Sequence, residues 1–594
     1  MRIYPSHDQW LDLNNLLAAL HAQNRIPQGC TEQVLIAWRQ ASNAALHPLV
    51  FLAEQQLCDP SRAGKTLDIE TLTAWLADHV EQPYLRLDPL KIDAATVTGL
   101  MSFAFAQRHV ILAVAVDDRG ITIASCQPWV SSWESDLRQM LKRPVRRVIA
   151  NPLEIQRLGV EFFQLAKSVT GAALNDQKTS PQTNLEQLLT LGTGAREPDA
   201  NDAHIVNIVD WLFQYAFEQR ASDVHIEPRR EQGCVRFRID GVLHDVYQFP
   251  PQVTVAVVSR LKSLGRMNVA EKRKPQDGRI KTRPPGAAEV ELRLATLPTA
   301  FGEKMVMRIF DPQVLLKNFD QLGLCPEDLQ RWQHMTRRPN GIILITGPTG
   351  SGKTSTLYAT LKQLATPEIN LCTLEDPIEM IEPAFNQMQV QPNIDLTFAN
   401  GVRALMRQDP DIIMLGEIRD LETAEVAIQA ALTGHLVLST LHTNDAPSAI
   451  SRLQELGVAP YLIKATLLGV MAQRLVRTLC TDCRNEQPLS LSDWQGFTPT
   501  WPGSLPACTW RAAGCAQCRD TGYSGRIGIF EVMLISDKIK TLIGPDTELN
   551  AIRRQAHAQG MLSLRLAAAH KVANGTTSME EALRVTPAQL NSFD

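Results

Sequence analysis

The chain has 594 residues, 44% of them hydrophobic, which sets an expectation of about three to five domains with cores of their own. Lys and Arg number 59 against 63 Asp and Glu, a net charge of −4, so no global basic field points to nucleic acid or an anionic membrane. The opening MRIYPSHDQW lacks a signal peptide's apolar core, and runs such as Leu100 to Ala106 end well short of the roughly 18 apolar residues a membrane span needs. A cytoplasmic protein is expected, and its eleven cysteines then argue for reduced thiols or a metal rather than a disulfide framework.

Residues 1–60 read as a helical region, with Leu11, Leu13, Leu16, Leu17 and Leu20 largely at helical spacings. Over 61–165 an α+β module is expected: Leu72, Trp75 and Leu76 mark an amphipathic helix, while Val110 to Val116 and Ile121 to Ala124 mark strands separated by Asp-Asp-Arg-Gly. The basic run Lys142 to Arg147 is either a docking patch or a solvated helix end. Residues 166–201 collect Ser, Thr, Gly, Pro, Asn and Asp and read as a linker.

Another α+β domain is expected over 202–320. In GCVRFRIDGVL the alternation of Val235, Phe237 and Ile239 predicts a strand, and Asp240-Gly241 a hairpin turn. Arg236 and Arg238 then share one face. A second basic block, Lys272 to Arg283, precedes VELRLATL, and MVMRIFD carries Arg308. Arginines on strands are often only a solvated face, but several beside a phosphate-binding domain offer planar forks for bidentate phosphate contacts.

Over 321–594 the pattern turns to α/β. GIILITGPTGSGKTSTLYATLKQ is an apolar strand, a glycine-rich loop and a helix, and Gly347, Gly352, Lys353 and Thr354 satisfy G-x-x-x-x-G-K-[ST]. From Gly347 through Pro348, Thr349, Gly350, Ser351, Gly352, Lys353 and Thr354 to Ser355, glycines let backbone N–H groups turn inward around phosphates. Lys353 supplies a cation to the β- and γ-phosphates, the Thr354 hydroxyl a ligand for Mg²⁺, and the helix dipole favours the same anion. Three further apolar runs end in polar residues: one in Glu375, Asp376 and Glu379, one in Glu417 and Arg419, and one with His435 and His442 near its two ends. Strands ending at one edge describe a RecA-like sheet with its site outside their carboxyl ends. Gly416 stands where many such enzymes carry an Asp, leaving the Mg²⁺ and water roles to be divided between Glu417 and the earlier acids. Both histidines are expected to serve the site.

Cys480-x-x-Cys483 and Cys515-x-x-Cys518 form two pairs of the kind a tetrahedral thiolate zinc site uses, closing an insertion over about 478–525 with little core of its own. Redox dithiols are the competing chemistry. Cys508 is a spare thiol.

The stretches ASDVHIEP, KPQDGRI, GPTGSGKTSTLY, LEDPIE, RQDPDIIMLGEIRD, TGHLVLSTLHTNDA and CTDC…GCAQCRDTGYSGRIGIFE together resemble the secretion ATPases of type II secretion systems and the type IV pilus extension ATPases, over about residues 200 to 594. The resemblance implies ATP hydrolysis with Mg²⁺ by a homohexamer, ATP being held between a PAS-like arginine-bearing domain and the RecA-like domain. It implies that Arg293, Arg308, Arg403 and Arg407 contact phosphates or act as arginine fingers, and that Glu375, Glu417 and His442 lie in the catalytic boxes. The N-terminal module is similar to the one with which these proteins dock on an inner-membrane platform protein, so membrane contact is expected to be peripheral. The repeat with which some members bind a cyclic dinucleotide is not evident. Retraction motors usually lack the N-terminal module and the tetracysteine element, and the choice between pilus assembly and secretion stays open. A nucleic-acid translocase predicts basic channel loops that the near-neutral charge does not supply, and a non-enzymatic zinc scaffold leaves Lys353, Glu375 and Glu417 without a role.

Overall fold

The computed structural model describes residues 8–27, 30–40, 46–60, 66–174, 201–283, 289–309, 318–499 and 501–586. It divides into two units, Met1–Ile309 and Phe310–Asp594.

The first unit begins with helices Leu13–Ala22, Cys30–Gln40 and Pro48–Glu54. Asp12 starts the first by accepting the N–H of Asn15, and its buried side is Leu13, Leu16, Leu17 and Leu20, the apolar spacing of the sequence. Helix Ile69–His79, capped by Asp68, packs Leu72, Trp75 and Leu76 into the same core. The helical region therefore runs past residue 60, because these helices bury their apolar faces on one another. Next come β1 (Ile111–Asp117), β2 (Gly120–Ser125) and β3 (Val145–Ile149), with β1 and β2 antiparallel and β2 and β3 parallel.

Helix Pro152–Leu174 continues into the expected linker: the segment's polar composition hides buried Val169 and Ala172, which join a core shared with Ile205, Ile208 and Leu212 of helix Ala203–Glu218. Of that linker, 175–200 lie outside the described residues.

The second part of this unit is an antiparallel sheet of β4 (Asp223–Pro228), β5 (Gly233–Ile239), β6 (Val242–Phe249), β7 (Gln276–Thr282), β8 (Val290–Thr299) and β9 (Gly302–Ile309), in the order β6-β5-β4-β9-β8-β7. Asp240 and Gly241 both have positive φ, 48° and 87°, as a two-residue hairpin turn requires. Val235, Phe237 and Ile239 are buried, whereas Arg236 and Arg238 line the opposite, half-exposed face.

In the second unit β10 (Gly341–Thr346), β11 (Leu371–Glu375), β12 (Asn386–Gln389), β13 (Ile412–Leu415), β14 (Leu436–Leu441), β15 (Leu467–Leu479) and β18 (Tyr523–Leu534) form one sheet in the order β12-β11-β13-β14-β10-β15-β18. Every neighbouring pair is parallel except β15 and β18. Strands β10, β11, β13 and β14 are buried at every residue, the pattern of a sheet covered on both faces. Along β10, Ile342 and Leu344 enter one core and Ile343 and Ile345 the other. All these parallel strands therefore present their carboxyl ends to one edge.

Between β15 and β18 lies the insertion, with the hairpin of β16 (Asn485–Pro488) and β17 (Cys508–Arg511) and helix Leu491–Phe497. Its buried side chains join the core beneath one face of the sheet: Trp494 and Phe497 are 1% exposed and pack there. Among the described residues no helix is long and apolar enough to cross a membrane.

Candidate active site and tetracysteine cluster

The glycine-rich loop leaves β10 and enters helix Lys353–Leu364. Gly347, Gly350 and Gly352 have φ of 153°, 78° and 87°, and a Cβ on Gly347 would lie 2.5 Å from the Gln473 carbonyl oxygen. Pro348, Thr349 and Gly350 are exposed at the loop's tip, whereas Ser351 is buried and its Oγ has no partner among the described residues. Thr354 and Ser355, in the first helical turn, are half-buried.

Lys353 folds back over the loop, its Nζ donating to the carbonyls of Gly347 at 2.8 Å and Pro348 at 3.2 Å. Burial lowers its pKa to about 8 and Arg474 adds to that effect, while the charge of Glu417 opposes it. An ammonium held at the mouth of a glycine-rich loop that enters a helix fits a polyphosphate, and Ser351 Oγ, without a partner among the described residues, leaves a further polar atom for it.

Glu417 follows β13, and His442 follows β14 on the adjacent strand. Arg419 donates to Glu417 Oε1, and His442 Nε2 lies 3.2 Å from Oε2. Burial works against this charge, but Arg419 and His442 outweigh it and hold the carboxyl below its ordinary pKa. The backbone around Gly416 is fixed by neighbours: its N–H donates to Leu374 O and its carbonyl accepts Thr440 Oγ1 at 2.7 Å. Beside this group opens a cleft of about 480 Å³ whose walls include Arg419, His442, Asn444, Arg452 and Glu455.

Glu375 ends the next strand, β11, in different surroundings. It is 3% exposed, with Oε2 accepting Tyr358 Oη at 2.7 Å and Glu379 N at 3.2 Å, and Oε1 accepting Thr373 Oγ1 at 2.7 Å and Gln387 Nε2 at 3.2 Å. Lys353, Glu417 and His442 thus gather at one edge, while Glu375 is enclosed by donors.

His435 departs from expectation. It stands at the amino end of β14, where Nδ1 meets the Ala430 carbonyl at 2.8 Å, so the length of the strand separates it from His442. Arg403 is exposed on helix Phe398–Leu405 and reaches Asn400 and Glu422, and Arg407 donates to the Arg403 carbonyl.

In the first unit, strand register aligns Arg279 with Arg293, Arg293 with Arg308, Arg308 with Asp223 and Asp223 with Arg238. Like charges directly opposite on neighbouring strands destabilise a sheet, so this row is a face that an anion suits. Arg308 Nε donates to Asp223 Oδ1 at 2.9 Å. Next to it, Glu227 accepts Arg236 and Lys304 at 2.7 and 2.8 Å; burial raises its pKa, but those two cations prevail and lower it to about 2.

Cys480, Cys483, Cys515 and Cys518 bring their Sγ atoms within 4.8 Å of one another. Separations of 3.8 Å for Cys480–Cys515 and 3.7 Å for Cys483–Cys518 and Cys515–Cys518 match the about 3.8 Å edge of a tetrahedron with zinc–sulfur bonds near 2.3 Å. The N–H groups of Cys515 and Gly522 donate to Cys518 Sγ at 3.2 and 3.1 Å, as suits a thiolate. The four residues fit zinc.

Two features escaped the sequence. Gln473-Arg474 on β15 forms the floor of the phosphate loop, and Glu531 on β18 is buried behind it, accepting the N–H groups of Ala446 and Leu564. Only long-range strand pairing brings either near the loop, so no local motif marks them.

A mainly parallel α/β sheet with this loop, and a carboxylate and a histidine at the same edge, defines a P-loop ATPase. Residues 198–584 match the family described as Type II/IV secretion system protein, and residues 81–169 match the MshEN domain. The chain belongs to that first family and is an ATPase of the secretion and pilus-assembly class. It is 51% identical to the Type IV pilus assembly ATPase TfpB of Acinetobacter baylyi, over 97% of this chain and 99% of that protein. Identity is 37% to the Type IV pilus assembly ATPase PilB of Myxococcus xanthus, over 89% and 94% of the two chains. To the Type II secretion system protein E of Pseudomonas aeruginosa it is 39%, over 82% and 96%.

Proposed function

We propose that the chain hydrolyses ATP with Mg²⁺ at Gly347–Ser355 and, as a homohexamer, drives assembly of a type IV pilus or a type II secretion pseudopilus through an inner-membrane platform protein. The observation that carries this is the convergence of Lys353, Glu417 and His442 at the carboxyl ends of β10, β13 and β14. Lys353 holds the β- and γ-phosphates, Thr354 ligates Mg²⁺, and Glu417, kept ionised by Arg419 and His442, orients the attacking water. Glu375, enclosed by four donors, sets the position of β11 against helix Lys353–Leu364 through Tyr358. Arg293, Arg308, Arg403 and Arg407 supply phosphate contacts. Identity of 51% over nearly the whole length of TfpB favours the pilus over the pseudopilus.

The finer organisation belongs to the same proposal. Residues 202–320 act as a PAS-like arginine-bearing domain, 321–594 as the RecA-like motor, and 61–165 as the docking module. The four cysteines hold Zn²⁺. The protein works in the cytoplasm and meets the inner membrane through its partners, with no part for nucleic acid.

The test is ATP hydrolysis by the purified chain, with and without the cytoplasmic domain of a pilus platform protein. Lys353→Ala is expected to lose at least about a hundredfold in turnover, on the order of 3 kcal/mol of transition-state stabilisation. Near-normal hydrolysis by the folded variant removes the proposed site, and wild-type activity indifferent to the platform domain counts against that partner.

A further inference from the structure

Strand β15 runs parallel to β10 with Thr346 opposite Ala472, so its next two residues, Gln473 and Arg474, pass directly under the phosphate loop. Gln473 braces the loop's far end: Oε1 accepts Thr356 Oγ1 at 2.9 Å, and Nε2 is so close that a Cβ on Gly352 would lie 2.8 Å from it. Arg474 braces the near end, with Nη1 3.1 Å from where a Cβ on Gly347 would stand.

Arg474 is 7% exposed. Its Nη1 donates to the Gln473 carbonyl at 3.0 Å, and its Nη2 to the Asn444 carbonyl at 3.0 Å and Asn444 Oδ1 at 3.4 Å. Every partner is neutral, and among the described residues no carboxylate pairs with it. The acids that act on it are engaged elsewhere: Asp445 is bridged to Arg553 at 2.7 Å, and Glu531 accepts the N–H groups of Ala446 and Leu564. Carboxylates exist within a few residues, yet none is spent on neutralising this guanidinium. A buried cation without a counter-ion is costly, and an anion arriving beside it offsets that cost. The anion site at hand is the loop immediately above.

We propose that Arg474 is a positioning residue of the phosphate site, fixing Gly347 against the loop that carries His442 and Asn444 and lending a second buried positive charge to the bound polyphosphate. It does so from beneath the backbone, so its charge acts on phosphates through a short low-dielectric path without competing for the positions of Lys353 and Thr354. Asn444, two residues past His442, is the other end of the brace, which ties the loop after β14 to the loop after β10. The proposal rests on the phosphate-loop assignment.

Because the charge faces ground state and transition state alike, its removal weakens binding more than chemistry. For Arg474→Gln, KM for ATP is expected to rise roughly tenfold with kcat within about twofold, and the rise in melting temperature caused by ADP should shrink in parallel. Arg474→Lys keeps the charge and loses the fork, and should recover KM to within about threefold of wild type. A variant that merely misfolds loses active sites, which lowers kcat and leaves KM and the ADP-induced shift alone; that result overturns the proposal. So does wild-type KM in Arg474→Gln, or an Arg474→Lys no better than Arg474→Gln. A wild-type protein with no ADP-induced shift removes the phosphate-loop assignment itself, and the proposal with it.

Discussion

Glu417 and Glu375 end neighbouring strands, and their surroundings separate their roles. Glu417 is held by Arg419 and His442 beside Lys353, whereas both oxygens of Glu375 are already taken by donors of the fold. Glu417→Gln is therefore expected to bind ADP normally and to lose at least about a hundredfold in kcat. Glu375→Gln places an amide NH₂ against two of four donors and should cost on the order of 1–3 kcal/mol of stability, seen in denaturant unfolding. Unchanged kcat in Glu417→Gln rejects this division.

Glu531 gives a pH prediction at the same scale. Burial, with help from Asp445, raises its pKa from 4.5 to about 7 despite the N–H groups of Ala446 and Leu564. Below 4.5 the carboxyl is protonated folded and unfolded alike. Between 4.5 and about 7 only the unfolded chain releases the proton, so stability falls as pH rises through that window. The stability of Glu531→Gln relative to wild type should accordingly improve from pH ~5 to pH ~8 and then level off, as measured by urea unfolding. A gap independent of pH contradicts the assignment.

Elements whose signals are local were legible in the sequence. The strand-loop-helix around Lys353 carries its own glycines, and Asp240-Gly241 places a hairpin because few other residues adopt positive φ twice in succession. Elements decided by distant packing were not. Gln473 and Arg474 acquire their place from the pairing of β15 with β10, and the arginine row from the register of five strands, neither of which leaves a short-range trace. His435 and His442 look alike in sequence, and only the direction of β14 assigns them to opposite edges.

The insertion lies between these cases, since its cysteine pairs are visible while its anchorage is not. Leu479 N donates to the Thr576 carbonyl and Arg484 to the Gly575 carbonyl at 2.7 Å, so the cluster is tied to the turn between helices Leu564–Ala573 and Met579–Val585. Zinc analysis should give about one ion per chain, absent from Cys480→Ser. Metal removal should raise hydrogen exchange in β16 and β17 while helix Lys353–Leu364 stays protected, because that helix lies outside the cysteine element. A metal-free protein with unchanged exchange in the hairpin rules out zinc as its staple.

For the whole molecule, the question is how hydrolysis becomes a push. Arg293 and Arg308 belong to the first unit and Lys353 and Glu417 to the second. Arginines that reach a γ-phosphate from a separate rigid body make nucleotide state readable as rotation of one body against another. Arg308 is suited to such exchange: its own side chain is half-exposed, and buried Asp223 keeps Arg238 at 3.7 Å when Arg308 turns to a phosphate. Arg308→Ala should then cripple hydrolysis while the fold and most of the ATP affinity persist. Mixing decides whether the arginine serves its own chain or a neighbour. Lys353→Ala and Arg308→Ala chains, each nearly inactive alone, are combined and assayed. If Arg308 acts across a subunit boundary, some interfaces in mixed rings pair an intact loop with an intact arginine, and activity partly returns. If it acts within its own chain, every nucleotide site lacks one group and mixing restores nothing. Size measurement on the same samples supplies the remaining control: full-rate hydrolysis by a protein that stays monomeric with ATP present excludes the ring.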